Sequence, residues 1–182
     1  IEHSLSPKLH NYWIEKNNID AIYEKKKLNE EEIESFILQI KEKKISGANV
    51  TVPFKKKVIP FLDKLSSEAQ NTQSVNTIYL EDNKTIGHNT DIDGFINSIT
   101  SKNYTVDGKK VFILGAGGVV SSIIFALQKM KADEIILANR TKSKGEDLKK
   151  TFKSLNILNW GEIPNFDIVI NATSLGLKKE DQ

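Results

Sequence analysis

A chain of 182 residues with 38% hydrophobic and 27% charged residues has the balance of a globular protein, as one domain or two small ones. Its net charge is only +2, from 26 basic and 24 acidic residues interspersed along the chain, which argues against a nucleic-acid surface. The absence of cysteine excludes a disulfide framework, three scattered histidines disfavour a metal site, and no apolar run reaches membrane-spanning length, so a soluble, cytoplasmic protein is expected.

The chain opens at Ile1, not at a methionine, and "SLGLKKEDQ" ends it without a closing helix or strand, so a fragment is expected. Ser6 and Pro7 read as a helix cap and first-turn proline, with Leu9, Tyr12 and Trp13 as an apolar stripe. "AIYEKKKL" alternates like a short strand, and lysine runs such as 25–27 and 55–57 read as solvated faces. Asn29 then caps a helix over "EEEIESFILQIKEKK", which places Ile33, Phe36, Ile37 and Ile40 on one face. "GANVTV" reads as a buried strand broken by Pro53, which starts a helix. "NTIYLEDNKTIGHN" reads as a hairpin turning at Asp82, Asn83 and Lys84. A helix over 91–101 leads into the polar stretch "SKNYTVDGK", the best boundary candidate.

Beyond it, "KVFILGAGG" is a strand entering a glycine turn and "VVSSIIFALQKMK" the helix that follows. "EIILAN", "KSKGEDLKKTF" and "FDIVINAT" read as strand, helix and strand. This alternation implies a parallel sheet. The fold class is therefore α/β in two domains, 1–101 and 102–182, the second a Rossmann-like nucleotide-binding domain.

Gly115, Gly117 and Gly118 follow an apolar strand and precede a helix, where backbone N–H groups can approach a pyrophosphate. The third glycine of G-x-G-x-x-G is replaced by Val120, and the same turn could be purely structural. At the end of the second strand, where a NAD-binding domain carries an acid, this chain has "NRT" with its only arginine, Arg140. A guanidinium there suits a 2′-phosphate, and so NADP(H). In the first half, Ser4 and Ser6 could together hold a carboxylate, or Ser6 could simply cap its helix. Asn49 and Thr51 would share a strand face, and Lys55 would sit at the positive end of the next helix, where proton loss is eased. Asn76 and Asp91 stand at segment ends, with capping as the alternative role for Asp91.

Taken in order, "HSLSP", "GANVTVPFK", "SVNT", "NTDIDGF", "GAGG", "NRT" and "NATSLGL" resemble shikimate dehydrogenase, over nearly the whole chain. The resemblance implies that 1–101 is a substrate-binding domain and that the Rossmann-like domain over 102–182 is incomplete at its end. The implied reaction is NADPH-dependent reduction of 3-dehydroshikimate to shikimate, in the pathway to chorismate and the aromatic amino acids. It implies Lys55 and Asp91 as the catalytic pair, Ser4 and Ser6 at the substrate carboxylate, and Asn49, Thr51, Asn76 and Asp91 around its hydroxyls. Gly115, Ala116, Gly117, Gly118 and Val119 would cradle the pyrophosphate of NADP(H). Asn139, Arg140, Thr141 and Lys144 would hold the 2′-phosphate, and Thr173 and Ser174 would lie near the nicotinamide. No metal, nucleic acid or membrane is implied, and the assembly would be a monomer or homodimer. Two departures stand out: Val119 and Val120 where small residues are usual, and the lack of the family's opening strand and final segment. The competing readings are a quinate/shikimate dehydrogenase preferring NAD, against which Arg140 argues, and a non-catalytic nucleotide-binding module, disfavoured by Lys55 and Asp91.

Overall fold

The structure, a computed structural model, describes residues 4–176. His3 of "HSLSP" and Leu177 of "NATSLGL" lie outside the described residues. Two four-stranded sheets carry the fold, one mixed and one parallel.

Helix α1 (Ser6–Lys16) starts one residue earlier than the sequence suggests. Leu5 takes the capping position, and the Ser6 N–H donates to Ser4 Oγ at 3.3 Å. Ser6 is thus the first helical residue rather than the cap, and Pro7 sits where its missing N–H costs nothing. The stripe of Leu9, Tyr12 and Trp13 stays about half exposed. What ties α1 down is polar: Asn11 brackets the backbone of Tyr23, accepting from its N–H at 2.8 Å and donating to its C=O at 2.9 Å. The segment "AIYEKKKL" is therefore held by α1 and pairs with no described strand, contrary to expectation.

Helix α2 (Ile33–Lys41) follows a 3-10 turn whose start is fixed by the Asn29 N–H donating to Glu32 Oε2 at 2.7 Å. Ile33, Ile37 and Ile40 recur on one face and pack with Val58, Ala69, Val75 and Ile78 as the first core.

The mixed sheet is built from β1 (Gly47–Asn49), β2 (Lys64–Leu65), β3 (Thr77–Glu81) and β4 (Lys84–His88), in the order β1-β3-β4-β2. A short helix, α3 (Ser67–Thr72), lies between β2 and β3, with Ser66 Oγ accepting from the Ala69 N–H as its cap. The hairpin has a two-residue turn, Asp82 and Asn83, both at positive φ, and Lys84 already belongs to β4. Strand β1 is shorter than "GANVTV". After Asn49 only the Val50 N–H continues the pairing, to Asn76 O at 2.7 Å, before the chain turns through a cis Val52–Pro53 bond. The expected helix from Pro53 is absent. One turn closes from Val58 N–H to Phe54 O, then the backbone tightens into a 3-10 turn at Ile59–Phe61 around Pro60, which has no N–H to extend a helix.

Helix α4 (Asp91–Thr100) joins the two halves: it begins beside β4 and packs Phe95 and Ile99 against the second core. That core, around Val111, Ile113, Ile124, Leu127 and Leu137, also takes in Val106, so the polar stretch after α4 is anchored by one buried valine. The parallel sheet comprises β5 (Lys110–Leu114), β6 (Glu134–Ala138), β7 (Asn156–Leu158) and β8 (Ile168–Asn171), ordered β7-β6-β5-β8. Helices α5 (Val120–Lys129) and α6 (Lys142–Thr151) make the crossovers after β5 and β6. The strand order reverses between β5 and β8, the place where parallel α/β sheets open a crevice for ligands. No described helix is long and apolar enough to cross a membrane.

Candidate active site

Lys55 and Asp91, 36 residues apart, meet at the junction of the two halves. Lys55 Nζ donates to Asp91 Oδ2 at 2.6 Å, with side chains only 15% and 25% exposed. The positive helix end expected beneath Lys55 is missing, since residues 52–58 form turns. The charged neighbour of Lys55 is instead the Asp91 carboxylate, opposite in sign to a helix N-terminus. Lys55 is pinned through its backbone, whose C=O accepts from the Val75 N–H at 2.8 Å. Nor is the run 55–57 one solvated face. Lys56 lines a cavity at the glycine turn, and Lys57 pairs with Glu30 at the surface.

Asp91 is oriented from two sides. Asn76 Nδ2 donates to its Oδ1 at 2.9 Å, and the Asp91 N–H donates to Asn89 Oδ1 at 3.0 Å. Asp91 is the first residue of α4, not its cap. Asn76 Oδ1 meanwhile accepts from the N–H and hydroxyl of Thr90 and from the Thr77 hydroxyl, so this amide is a nearly saturated hub. Asn89, fully buried, is a site residue that the sequence does not single out, although it stands in "GHNTDIDGF". Its Nδ2 donates to Thr72 Oγ1 at 3.1 Å and to Ser122 Oγ on α5 at 2.9 Å, joining the first half to the helix after the glycine turn.

Of the remaining groups expected at the substrate, Asn49 lies against this hub, with Nδ2 donating to Thr77 Oγ1 at 3.2 Å. Its Oδ1 accepts from the Tyr23 hydroxyl at 2.9 Å, and the Ser6 side chain lies near enough to that hydroxyl to act on it. Ser4, Thr51 and Asn49 are exposed. The result is a polar run from Ser6 through Tyr23, Asn49, Thr77 and Asn76 to Asp91 and Lys55.

The glycine turn after β5 faces the same junction. Gly115 has φ +106°, and a Cβ there would lie 2.7 Å from Ala172 O, so a side chain would be both strained and blocked. A Cβ on Gly118 would come 3.3 Å from Val52, which shows how closely the turn approaches the segment before Lys55. Ala116, Gly117, Gly118 and Ser121 line a cavity of about 170 Å³, together with Lys56, Lys144, Asp147 and Leu148. Bare backbone at the start of α5, flanked by two lysines, fits a pyrophosphate. Val120 is fully buried in the core, and Val119 stands 40% exposed at the head of α5, so neither obstructs the turn.

Of the residues expected at the 2′-phosphate, only Lys144 lines that cavity. Arg140 is exposed just past β6, next to a turn in which Asn139 Nδ2 donates to Thr141 O at 2.7 Å. Thr173 follows β8 and is tied to Asn171 by its N–H and hydroxyl, with Ser174 exposed beside it.

The chain is similar to known proteins over its whole length. Residues 1–78 match the family model described as the shikimate dehydrogenase substrate binding domain, and residues 97–177 match shikimate / quinate 5-dehydrogenase. A protein of Pelagibacter ubique named shikimate dehydrogenase (NADP(+)) is 59% identical over 182 residues, all of this chain and 69% of that one. The crystal structure of shikimate dehydrogenase from Aquifex aeolicus superposes with a TM-score of 0.91 at 39% identity, over 100% of this chain and 68% of that one. The Thermus thermophilus enzyme, solved with NADP(H) and shikimate, gives 0.86 at 28% identity, over 97% and 66%. A mixed-sheet half carrying a lysine–aspartate pair thus faces a parallel-sheet half carrying a glycine cradle, and the chain belongs to the NADP-dependent shikimate dehydrogenases.

Proposed function

We propose that the chain reduces 3-dehydroshikimate to shikimate with NADPH, with Lys55 and Asp91 as the acid/base pair. The observation that carries this reading is the part-buried 2.6 Å pair, braced by Asn76 and Asn89 within reach of the glycine turn. Reduction of a ketone needs a hydride at carbon and a proton at oxygen. Bound NADPH supplies the hydride. Lys55 as ammonium gives its proton to the developing alkoxide, and its amine takes a proton back when shikimate is oxidised. Asp91 holds the ammonium in place and accepts from a substrate hydroxyl. Ser4 and Ser6 hold the carboxylate, while Asn49, Thr51 and Asn76 surround the ring hydroxyls. Gly115, Ala116, Gly117, Gly118 and Val119 cradle the pyrophosphate, with Asn139, Arg140, Thr141 and Lys144 at the 2′-phosphate and Thr173 and Ser174 beside the nicotinamide. The enzyme acts in the cytoplasm, in the pathway to chorismate and the aromatic amino acids. The names of the relatives support the substrate and cofactor.

Initial rates of NADP+ reduction with shikimate and with quinate test this reading. Shikimate is expected to be oxidised at least about tenfold faster at equal subsaturating concentration, the discrimination that one misplaced polar group brings. Turnover of quinate alone, or of neither, would overturn it.

A further inference from the structure

We propose that Tyr23 is a positioning residue of the substrate site, its phenol locking Ser6 and Asn49 so that both offer hydrogen-bond donors to the acidic substrate. The inference rests on the functional reading above and adds a residue that no motif of the chain contains. The ring of Tyr23 is fixed before any ligand arrives. His10 stacks on it with centroids 4.3 Å apart and planes 12° from parallel, and Asn11 brackets its backbone on both sides. Only the hydroxyl is then left to act, and its contacts are Asn49 and Ser6, two of the groups placed at the substrate.

The direction of these bonds matters. The Tyr23 hydroxyl donates to Asn49 Oδ1 at 2.9 Å, and Asn49 Nδ2 donates to Thr77 Oγ1 at 3.2 Å. The carboxamide is thereby held against flipping, with its acceptor oxygen engaged; its second N–H rests on Asn76 O at 3.4 Å, a long bond that a substrate oxygen can replace. Ser6 faces the carboxylate, which offers acceptors only, while Asn49 meets a ring hydroxyl with an N–H rather than with its oxygen, which Tyr23 already occupies. Burial pushes the Tyr23 phenol above its ordinary range, partly opposed by the Ser6 bond, so it stays protonated and can donate at neutral pH. Ser6, resting on the phenol oxygen, can swing its proton to an arriving carboxylate while Tyr23 keeps Asn49 in place.

Tyr23→Phe tests the proposal because it keeps the ring, its stack on His10 and the backbone bracket, and removes only the hydroxyl. Compared with wild type, KM for shikimate is expected to rise about tenfold, the worth of one hydrogen bond to a charged group. The kcat should stay within about twofold. KM for NADP+ and the melting temperature should be unchanged. The preference for shikimate over its methyl ester, which lacks the charge, should fall by the same factor. An unchanged KM and acid-over-ester preference would overturn the proposal, as would a uniform loss in both KM values together with a lowered melting temperature. A wild-type protein that fails to oxidise shikimate would remove the functional reading itself, a result distinct from a variant that matches an active wild type.

Discussion

Replacing Lys55 by alanine is expected to lower kcat by about 10²–10⁴-fold, the usual contribution of a positioned acid/base group. The variant removes the one ammonium held 2.6 Å from Asp91, so the developing alkoxide loses its proton donor. The two neighbouring lysines serve as controls because the structure gives each a different setting. Lys56 lines the cavity at the glycine turn, so Lys56→Ala should raise KM for NADP(H) and leave kcat nearly intact. Lys57 pairs with Glu30 at the surface, a kind of contact worth little, and Lys57→Ala should be silent. Steady-state kinetics on the three variants checks this. Equal behaviour of all three would deprive Lys55 of its assigned role.

Arg140→Ala is expected to weaken NADP(H) by about ten- to hundredfold while NAD(H) changes little, since a charge-assisted, bidentate contact to a phosphate is at stake. The residue is exposed at the end of β6, where a NAD-binding domain would carry an acid. Lys144, one turn into α6, would retain part of the phosphate binding, which sets a ceiling on the loss. Titrating both cofactors against both proteins decides the matter. Equal losses for the two would place the 2′-phosphate elsewhere.

Much of the parallel sheet is legible in the sequence because its strands are continuous apolar runs closed by glycine or polar turns. "KVFIL" is β5 residue for residue, and "EIILAN" overruns β6 by the single residue Asn139. Strands β2 and β7 are not legible: two and three residues give no period to count, and each exists only by pairing with a longer neighbour. The helix expected at Pro53 fails because Pro60 lies seven residues on and limits the hydrogen bonds available, a local conflict that a cap-and-face pattern does not register. At the site, the motif residues are readable singly, but the bracing is not. Asn89 acts by bonding Thr72 and Ser122, 17 and 33 residues away, and Tyr23 by bonding Asn49, 26 residues on. Tyr23 reads as part of a strand because alternation in "AIYEKKKL" looks the same whether a partner strand or a helix lies beside it.

The most direct test is rapid mixing of NADPH-loaded protein with 3-dehydroshikimate, following loss of the reduced-nicotinamide absorbance in wild type and Asp91→Asn. The variant keeps the size of the side chain and a partner for Asn76, and removes only the negative charge that holds the Lys55 ammonium. Wild type should consume NADPH in a single turnover, and Asp91→Asn should be slower by about 10²-fold or more. Equal rates in the two proteins, or no consumption by wild type, would contradict the assignment of the Lys55–Asp91 pair to the proton transfer.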